Sequence, residues 1–363
     1  MPILIFEEVS VKNKKYSMAF YLMSPVFFLM MCCIIPAETT SMTRTPAEKP
    51  PPEKHSAEVS LPQGYRLPMI QQLRFQGKEI SIDLFSGGYS QGFCVYAEIY
   101  KNSGADGDFI IYKFSFSSKD LLPVKRPWGY RCIFGIDPES GTGMHKLNIA
   151  YSVGNLTRTE SYSVPVLKTE YRFDPTPLDL GKYSDVDYKP SPEEIAFIEK
   201  CTEKKKRVFG QTGTERLGSS LSHPRDQHFI TSPFWSKRLV MRYRKKNGRK
   251  IYLKNKLNIH RGVDLRGNVG DPVFSVAHGI VVIAEPMYYE GNFIVVDHGN
   301  RIFSYYMHLN DLKVKEGDSV RAGDLIGHVG SSGLSTAAHL HVSFMIQNTY
   351  VDPLSVLLLP IRE

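Results

Sequence analysis

Short apolar runs recur between turn residues over positions 61–173: KEISIDLFSGG, GFCVYAEIY, DFIIYKFSFS, YRCIFGIDP, MHKLNIAYSV and RTESYSVPVL. KEISIDLF and HKLNIAYS alternate apolar with polar, the period of a strand with one buried face. Their regular spacing predicts a β-sandwich. The pattern changes over 174–222. Ser191-Pro192-Glu193-Glu194 is a capping-box start with Pro at the first helical position, and Ile195, Ile198 and Cys201 follow at helical spacing. The cations at 204–207 then fall near the helix end, where the dipole favours them, and read as a solvated terminus. LVMRYRKKNGRKIYLKNKL (239–257) predicts a basic hairpin turning at Asn247-Gly248, either simply exposed or lining a groove. Beyond it, GIVVIAEP (279–286), GNFIVVDHGN (291–300), RIFSYYMHL (301–309) and VKEGDSVRAGDLIGHVGSSG (314–333) are short strands between Gly, Asp and Asn turns. No stretch between 260 and 350 sustains a helical period, so the fold class is mainly β.

The chemistry concentrates in this last region. His339-Leu340-His341 lies in STAAHLHVSF (335–344), His260 and Asp264 form an H-x-x-x-D in HRGVDLRG (260–267), and His308 sits in SYYMHLN (304–310). Residues i and i+2 of a strand point to one face, so the H-x-H pair aims two imidazoles at one region of space. With two further His and a carboxylate, the set supplies three N/O donors and leaves two imidazoles over, the pattern of a catalytic zinc site with an open position. Any one of the 11 histidines alone carries little weight, because a lone His is usually a hydrogen-bonded structural residue. The joint occurrence within one β-rich region gives the set its meaning. His278, His298 and His328 flank strands or turns without a paired acid and are read as structural; His145, His223 and His228 lie outside the set. No H-E-x-x-H is present to supply a helical Glu base.

Residues 228–355 resemble the lysostaphin/LytM-type zinc endopeptidases, which cut peptidoglycan cross-bridges. The landmarks are His260/Asp264, the DHG at Asp297–Gly299, Tyr306-x-His308-Leu309, the V-x-x-G-D-x-V-x-x-G-D-x-I-G run from Val314, and His339-Leu340-His341. HVSF departs from the aromatic and Glu more usual in the family after the H-x-H pair, a matter of packing rather than ligands. The resemblance implies that His260, Asp264 and His341 are zinc ligands and that His308 and His339 are catalytic histidines outside the metal shell. It also implies an exported endopeptidase acting on peptidoglycan peptides. FGIDPESGTGMHKLNIAYSV resembles, over fewer positions, the Ig-like module often found ahead of such domains. The expected architecture is therefore an N-terminal Ig-like β-sandwich, a helical linker and a C-terminal LytM-like antiparallel β-sheet domain. A non-catalytic LytM-like activator or binding protein of the envelope is the alternative; such a protein should lack one or more ligands, and none is missing here.

Composition adds the cellular context. The formal net charge of +8 suits an anionic membrane, wall polymer or nucleic acid, but no nucleic-acid-binding motif accompanies the basic stretches, and no nucleic-acid partner is expected. Lys12, Lys14 and Lys15 precede the uncharged apolar run 16–35, an export signal or inner-membrane anchor pattern. The expected organisation is a signal or anchor at 1–36, a Pro-rich linker at 37–60, the sandwich at 61–173, the helical linker at 174–222 and the zinc metallopeptidase domain at 223–363. The expected location is the cell envelope, periplasmic or extracellular. Past Cys32 and Cys33 only Cys94, Cys132 and Cys201 remain, too few for a disulfide framework, although Cys94 and Cys132 share one β module and are candidates either to pair or to stay as buried thiols.

Overall fold

The computed structural model describes residues 69–362, and the expectations for 1–36 and 37–60 lie outside them. The described residues belong to one compact unit. Among them, no helix is long and apolar enough to cross a membrane.

The first half is a two-sheet sandwich. One sheet runs Gln71–Gln76, Ile80–Ser86, Cys94–Lys101, Gly129–Gly135, Val124–Arg126; the other runs Lys119–Asp120, Phe109–Phe116, Gly143–Val153, Leu156–Val166. The alternation in the sequence explains the packing. Ile80, Ile82 and Leu84 point inward against Phe114, Leu147, Tyr151 and Val164. The polar face of the Ile80–Ser86 strand is covered as well: Asp83 is buried and accepts two hydrogen bonds from Arg74, at 2.6 and 2.8 Å, and one from Tyr100 at 2.9 Å. Cys94, Cys132 and Cys201 are buried free thiols.

The predicted helix spans Pro192–Phe209. Ser191 Oγ accepts the Glu194 N–H at 3.2 Å, and the Glu194 side chain accepts the Ser191 N–H at 2.9 Å, which closes the capping box. The basic ribbon also forms, as Lys237–Lys246 and Arg249–Ile259 around Asn247 and Gly248, whose φ values of 49° and 74° fit a two-residue type I′ turn. Phe173–Leu178 pairs in parallel with Lys237–Lys246.

The second half is built on an eight-stranded sheet. Its order is Ile230–Ser232, Val263–Arg266, His339–Ile346, Ile302–Leu309, Gly291–Asp297, Gly279–Met287, Ser319–Val320, with Thr349–Val351 paired to His339–Ile346. Strand alternation gives it two different faces. Leu340, Val342, Phe344 and Ile346 enter a core with Val281, Ile294 and Tyr306, which Cys94, Tyr96 and Ile133 of the sandwich also join. Phe303, Tyr305 and Met345 on the opposite face are covered by Cys201, Val208 and Phe209 of the helix, each such burial being worth about 1.5–3 kcal/mol for a large apolar side chain. Of the 204–207 cations, Lys206 and Arg207 are exposed as expected of a solvated end, but Lys204 and Lys205 are not. Lys205 is buried and paired with Glu290, and Lys204 bridges Glu285 and Glu316, each at 2.6 Å.

Candidate metal centre

Three neighbouring strands of the eight-stranded sheet and the end of the basic ribbon deliver the site. Asp264 on Val263–Arg266 stands opposite His341 on His339–Ile346, and Arg266 stands opposite His339. His260 follows directly on the ribbon strand Arg249–Ile259. His339 and His341 share the sheet face whose far part the helix covers, as the i, i+2 spacing requires. His308 is different. Alternation would send it to the core side with Tyr306. Its φ of 64° breaks the alternation, and its ring comes to lie 5.0 Å from that of His339 and 6.2 Å from that of His341. A left-handed non-Gly residue at this point is a local strain that re-aims a side chain.

His260 Nε2, His341 Nδ1 and Asp264 Oδ1 are mutually 2.9 Å apart. All three residues are buried. Two imidazole nitrogens and a carboxylate oxygen converging on one point form a group that can hold a metal ion. The outer contacts fit that reading. His260 Nδ1 donates to the Pro233 carbonyl at 3.1 Å, which leaves Nε2 as the lone-pair atom. His341 Nε2 lies 2.9 Å from Ser343 Oγ, which leaves Nδ1 for the centre. Such partners fix the tautomer and orientation of ligand histidines. Asp264 Oδ2 faces away and accepts from Arg238 Nη2 at 2.6 Å.

The electrostatics follow from burial. Burial pushes His341 down to about 4, with the Asp264 hydrogen bond acting the other way. Burial, then the neighbouring His341 and His339, push His308 down to about 3. Both rings are therefore neutral near pH 7, the state in which an imidazole has a lone pair to offer a metal or a proton. For Asp264 burial acts upward, but its close contacts with the His260 and His341 rings outweigh it and hold the carboxyl well below the usual carboxylate range. His308 Nδ1 donates to the Ser332 carbonyl at 2.9 Å, leaving Nε2 free. His339 Nδ1 contacts the Ala337 carbonyl at 2.8 Å, and its Nε2 stands 3.6 Å from Asp264 Oδ1.

All five residues singled out in the sequence thus meet in one place. Three supporting residues gave no sequence signal. Arg238 reaches Asp264 only through strand pairing. Glu290 accepts the His308 N–H on its carbonyl at 2.9 Å, and Lys205 pairs with the Glu290 side chain. Of the histidines read as structural, His328 does meet an acid, one 17 positions away in the chain. His298 is fully buried, stacked on Phe344 and held by the His278 carbonyl at 2.7 Å, and His328 pairs with Asp311 at 2.7 Å.

An antiparallel β centre with two imidazoles and one carboxylate around a point, and two more imidazoles beside it, is the donor set of a metal-dependent hydrolase. Residues 258–353 match the sequence profile of Peptidase family M23, and this stretch is an M23-type domain. It is similar to the peptidoglycan DD-endopeptidase ShyC of Vibrio cholerae serotype O1, with 29% identity over 155 residues covering 40% of this chain and 35% of the relative. ShyA of the same organism, also a peptidoglycan DD-endopeptidase, is 36% identical over 93 residues, 26% of this chain and 22% of the relative. The glycyl-glycine endopeptidase ALE-1 of Staphylococcus capitis is 43% identical over 104 residues, 27% of this chain and 29% of the relative. The chain thus spans about a third or less of the length of these relatives. Among solved structures, the catalytic domain of lysostaphin from Staphylococcus simulans matches at 39% identity, covering 27% of this chain and 79% of that one with a TM-score of 0.26.

Proposed function

We propose that the chain is a zinc-dependent endopeptidase of the cell envelope that hydrolyses peptide amide bonds in peptidoglycan. The observation that carries this reading is the 2.9 Å triangle of His260 Nε2, Asp264 Oδ1 and His341 Nδ1 with His308 and His339 alongside. The names of the relatives supply the substrate class. The complete ligand set favours an enzyme over the envelope activator. Zinc held by these three side chains supplies a Lewis acid that polarises a carbonyl and acidifies a water.

The protein's own groups do the rest. His308, kept neutral and anchored through Nδ1, presents Nε2 as the base that takes the water proton as water adds to the scissile carbonyl carbon. His339 faces oxygen acceptors with both nitrogens and is the group placed to donate towards the carbonyl oxygen as it gains negative charge. As the C–N bond breaks, the proton taken from water passes to the departing amine. The apolar run at 16–35 would hold the enzyme at the membrane facing its polymer.

The test is digestion of purified cross-linked muropeptide dimers, with mass spectrometry of the new amino terminus. Cleavage is expected to stop on chelation and to return with zinc. Equal cleavage by the chelator-treated protein would remove zinc from the mechanism, and intact dimers under every condition would remove the substrate.

A further inference from the structure

Asp264 has two carboxylate oxygens in two different environments. Oδ1 stands 2.9 Å from both ligand nitrogens, whereas Oδ2 stands 2.6 Å from Arg238 Nη2. The Asp264 side chain is 9% exposed and that of Arg238 26% exposed, so this pair is shielded, unlike an ordinary surface ion pair. Arg238 sits on Lys237–Lys246, opposite Asn258, two residues before His260. The ribbon that delivers one ligand thus also supplies the partner of a second. Residues 237–259 contain no Asp or Glu, so the ribbon itself offers Arg238 no acidic partner. Arg238 also lies ahead of the stretch that matches the M23 profile.

We propose that Arg238 is a positioning residue that presents Asp264 to the metal through one oxygen. The inference rests on the zinc reading above. A carboxylate free to turn offers a metal either oxygen or both, and zinc sites expand from four to five ligands readily. A second oxygen from Asp264 would occupy the position that water and substrate need. The guanidinium engages Oδ2 with a charge-assisted hydrogen bond and leaves Oδ1 alone to face His260 and His341. The same contact fixes the carboxylate plane and reduces the reorganisation needed when metal enters.

The test compares full-length wild-type protein with Arg238→Met, which keeps the aliphatic stem, and with Arg238→Lys. Zinc dissociation constants are read by competition with a chromophoric chelator. Cobalt-substituted protein reports coordination number through the intensity of its visible absorption. The Met variant is expected to bind zinc about 10–100-fold more weakly. Its cobalt absorption should fall from the intense four-coordinate type towards the weaker five-coordinate type as the second oxygen enters. The Lys variant, which restores one charged donor, should lie between. A Met variant with wild-type zinc affinity or tighter, or with an unchanged cobalt spectrum, overturns the proposal. A wild-type protein that takes up no zinc overturns the metal reading and this inference with it.

Discussion

At the residue scale, the site depends on which nitrogen each histidine commits to the protein. His260 gives Nδ1 to Pro233, His308 gives Nδ1 to Ser332, and His341 instead turns Nε2 to Ser343. The proposed ligand and base atoms are what these contacts leave over. The backbone at His308 makes its test specific. An Ala at φ 64° would be strained, whereas Asn tolerates the left-handed region, so His308→Asn removes the imidazole while keeping the turn. His308→Asn and His339→Ala are each expected to retain stoichiometric zinc by elemental analysis and to lose about 10²–10⁴-fold in turnover, the usual worth of positioned proton transfer. Turnover near wild type in either variant would remove that residue from the chemistry. The identities of the five residues were legible in the sequence because H-x-H on a strand fixes two of them on one face and the other motifs lie in the same β region. The orientation of His308 was not legible. It depends on one dihedral angle that reverses the strand period, and the sequence around Met307-His308-Leu309 carries no glycine to announce it.

At the element scale, the helix Pro192–Phe209 supports the site. Lys205 reaches from it to Glu290, whose carbonyl holds the His308 backbone and whose Oε2 is buried without a hydrogen-bond partner. Glu290 ends the turn at 288–290, and the strand start that follows it comes very close to the loop around Ser332. A Cβ on Gly291, at φ 68°, would sit 2.4 Å from the Ser332 carbonyl carbon, and this approach lets Asn292 N–H reach Ser332 Oγ at 2.9 Å. The same Ser332 carbonyl anchors His308 Nδ1. Lys205→Met strands a buried carboxylate and is expected to cost about 3–5 kcal/mol of stability in denaturant unfolding. Adding Glu290→Gln should restore most of it, because the charge left unpaired is then gone. A double variant no more stable than Lys205→Met would show that the two side chains are not coupled. The helix itself was legible from Ser191, Pro192 and Glu194, which set its start by local chemistry. Its partner was not, because the 204–207 cluster looks the same in sequence whether Lys205 meets water or a carboxylate 85 positions on.

At the scale of the whole molecule, the sandwich and the metal-site sheet share a core and a set of polar ties. Gln347 Nε2 donates to the Ile133 carbonyl at 3.1 Å, Asn300 Nδ2 to the Leu122 carbonyl at 2.9 Å, and Arg131 Nη2 to the Leu217 carbonyl at 2.6 Å. Short strands and turns told of two β modules, but nothing local in Cys94, Tyr96 or Ile133 told that they would pack against the second. His298 stands within that common core and makes the fold sensitive to acid. Burial pushes its imidazole from the ordinary 6.5 down to about 4. Its Nδ1 proton is committed to the His278 carbonyl, its Nε2 stands 2.9 Å from Ser304 Oγ, and Phe344 is stacked on the ring, so the folded protein disfavours the charged form. The sign follows from proton counting. Between pH 4 and 6.5 the unfolded chain binds the proton and the folded one does not, so the stability contributed by His298 is present in full above about 6.5 and is lost as the pH falls towards 4. At about 1.4 kcal/mol per pH unit the loss amounts to about 3 kcal/mol. His298→Gln, which cannot titrate, should be less stable than wild type at pH 7 and should close that gap by about 3 kcal/mol at pH 4, as measured by denaturant unfolding at a series of pH values. A stability difference between the two proteins that stays constant from pH 7 to pH 4 would mean that His298 is protonated in the folded state, and that the stacked, hydrogen-bonded site tolerates the charge.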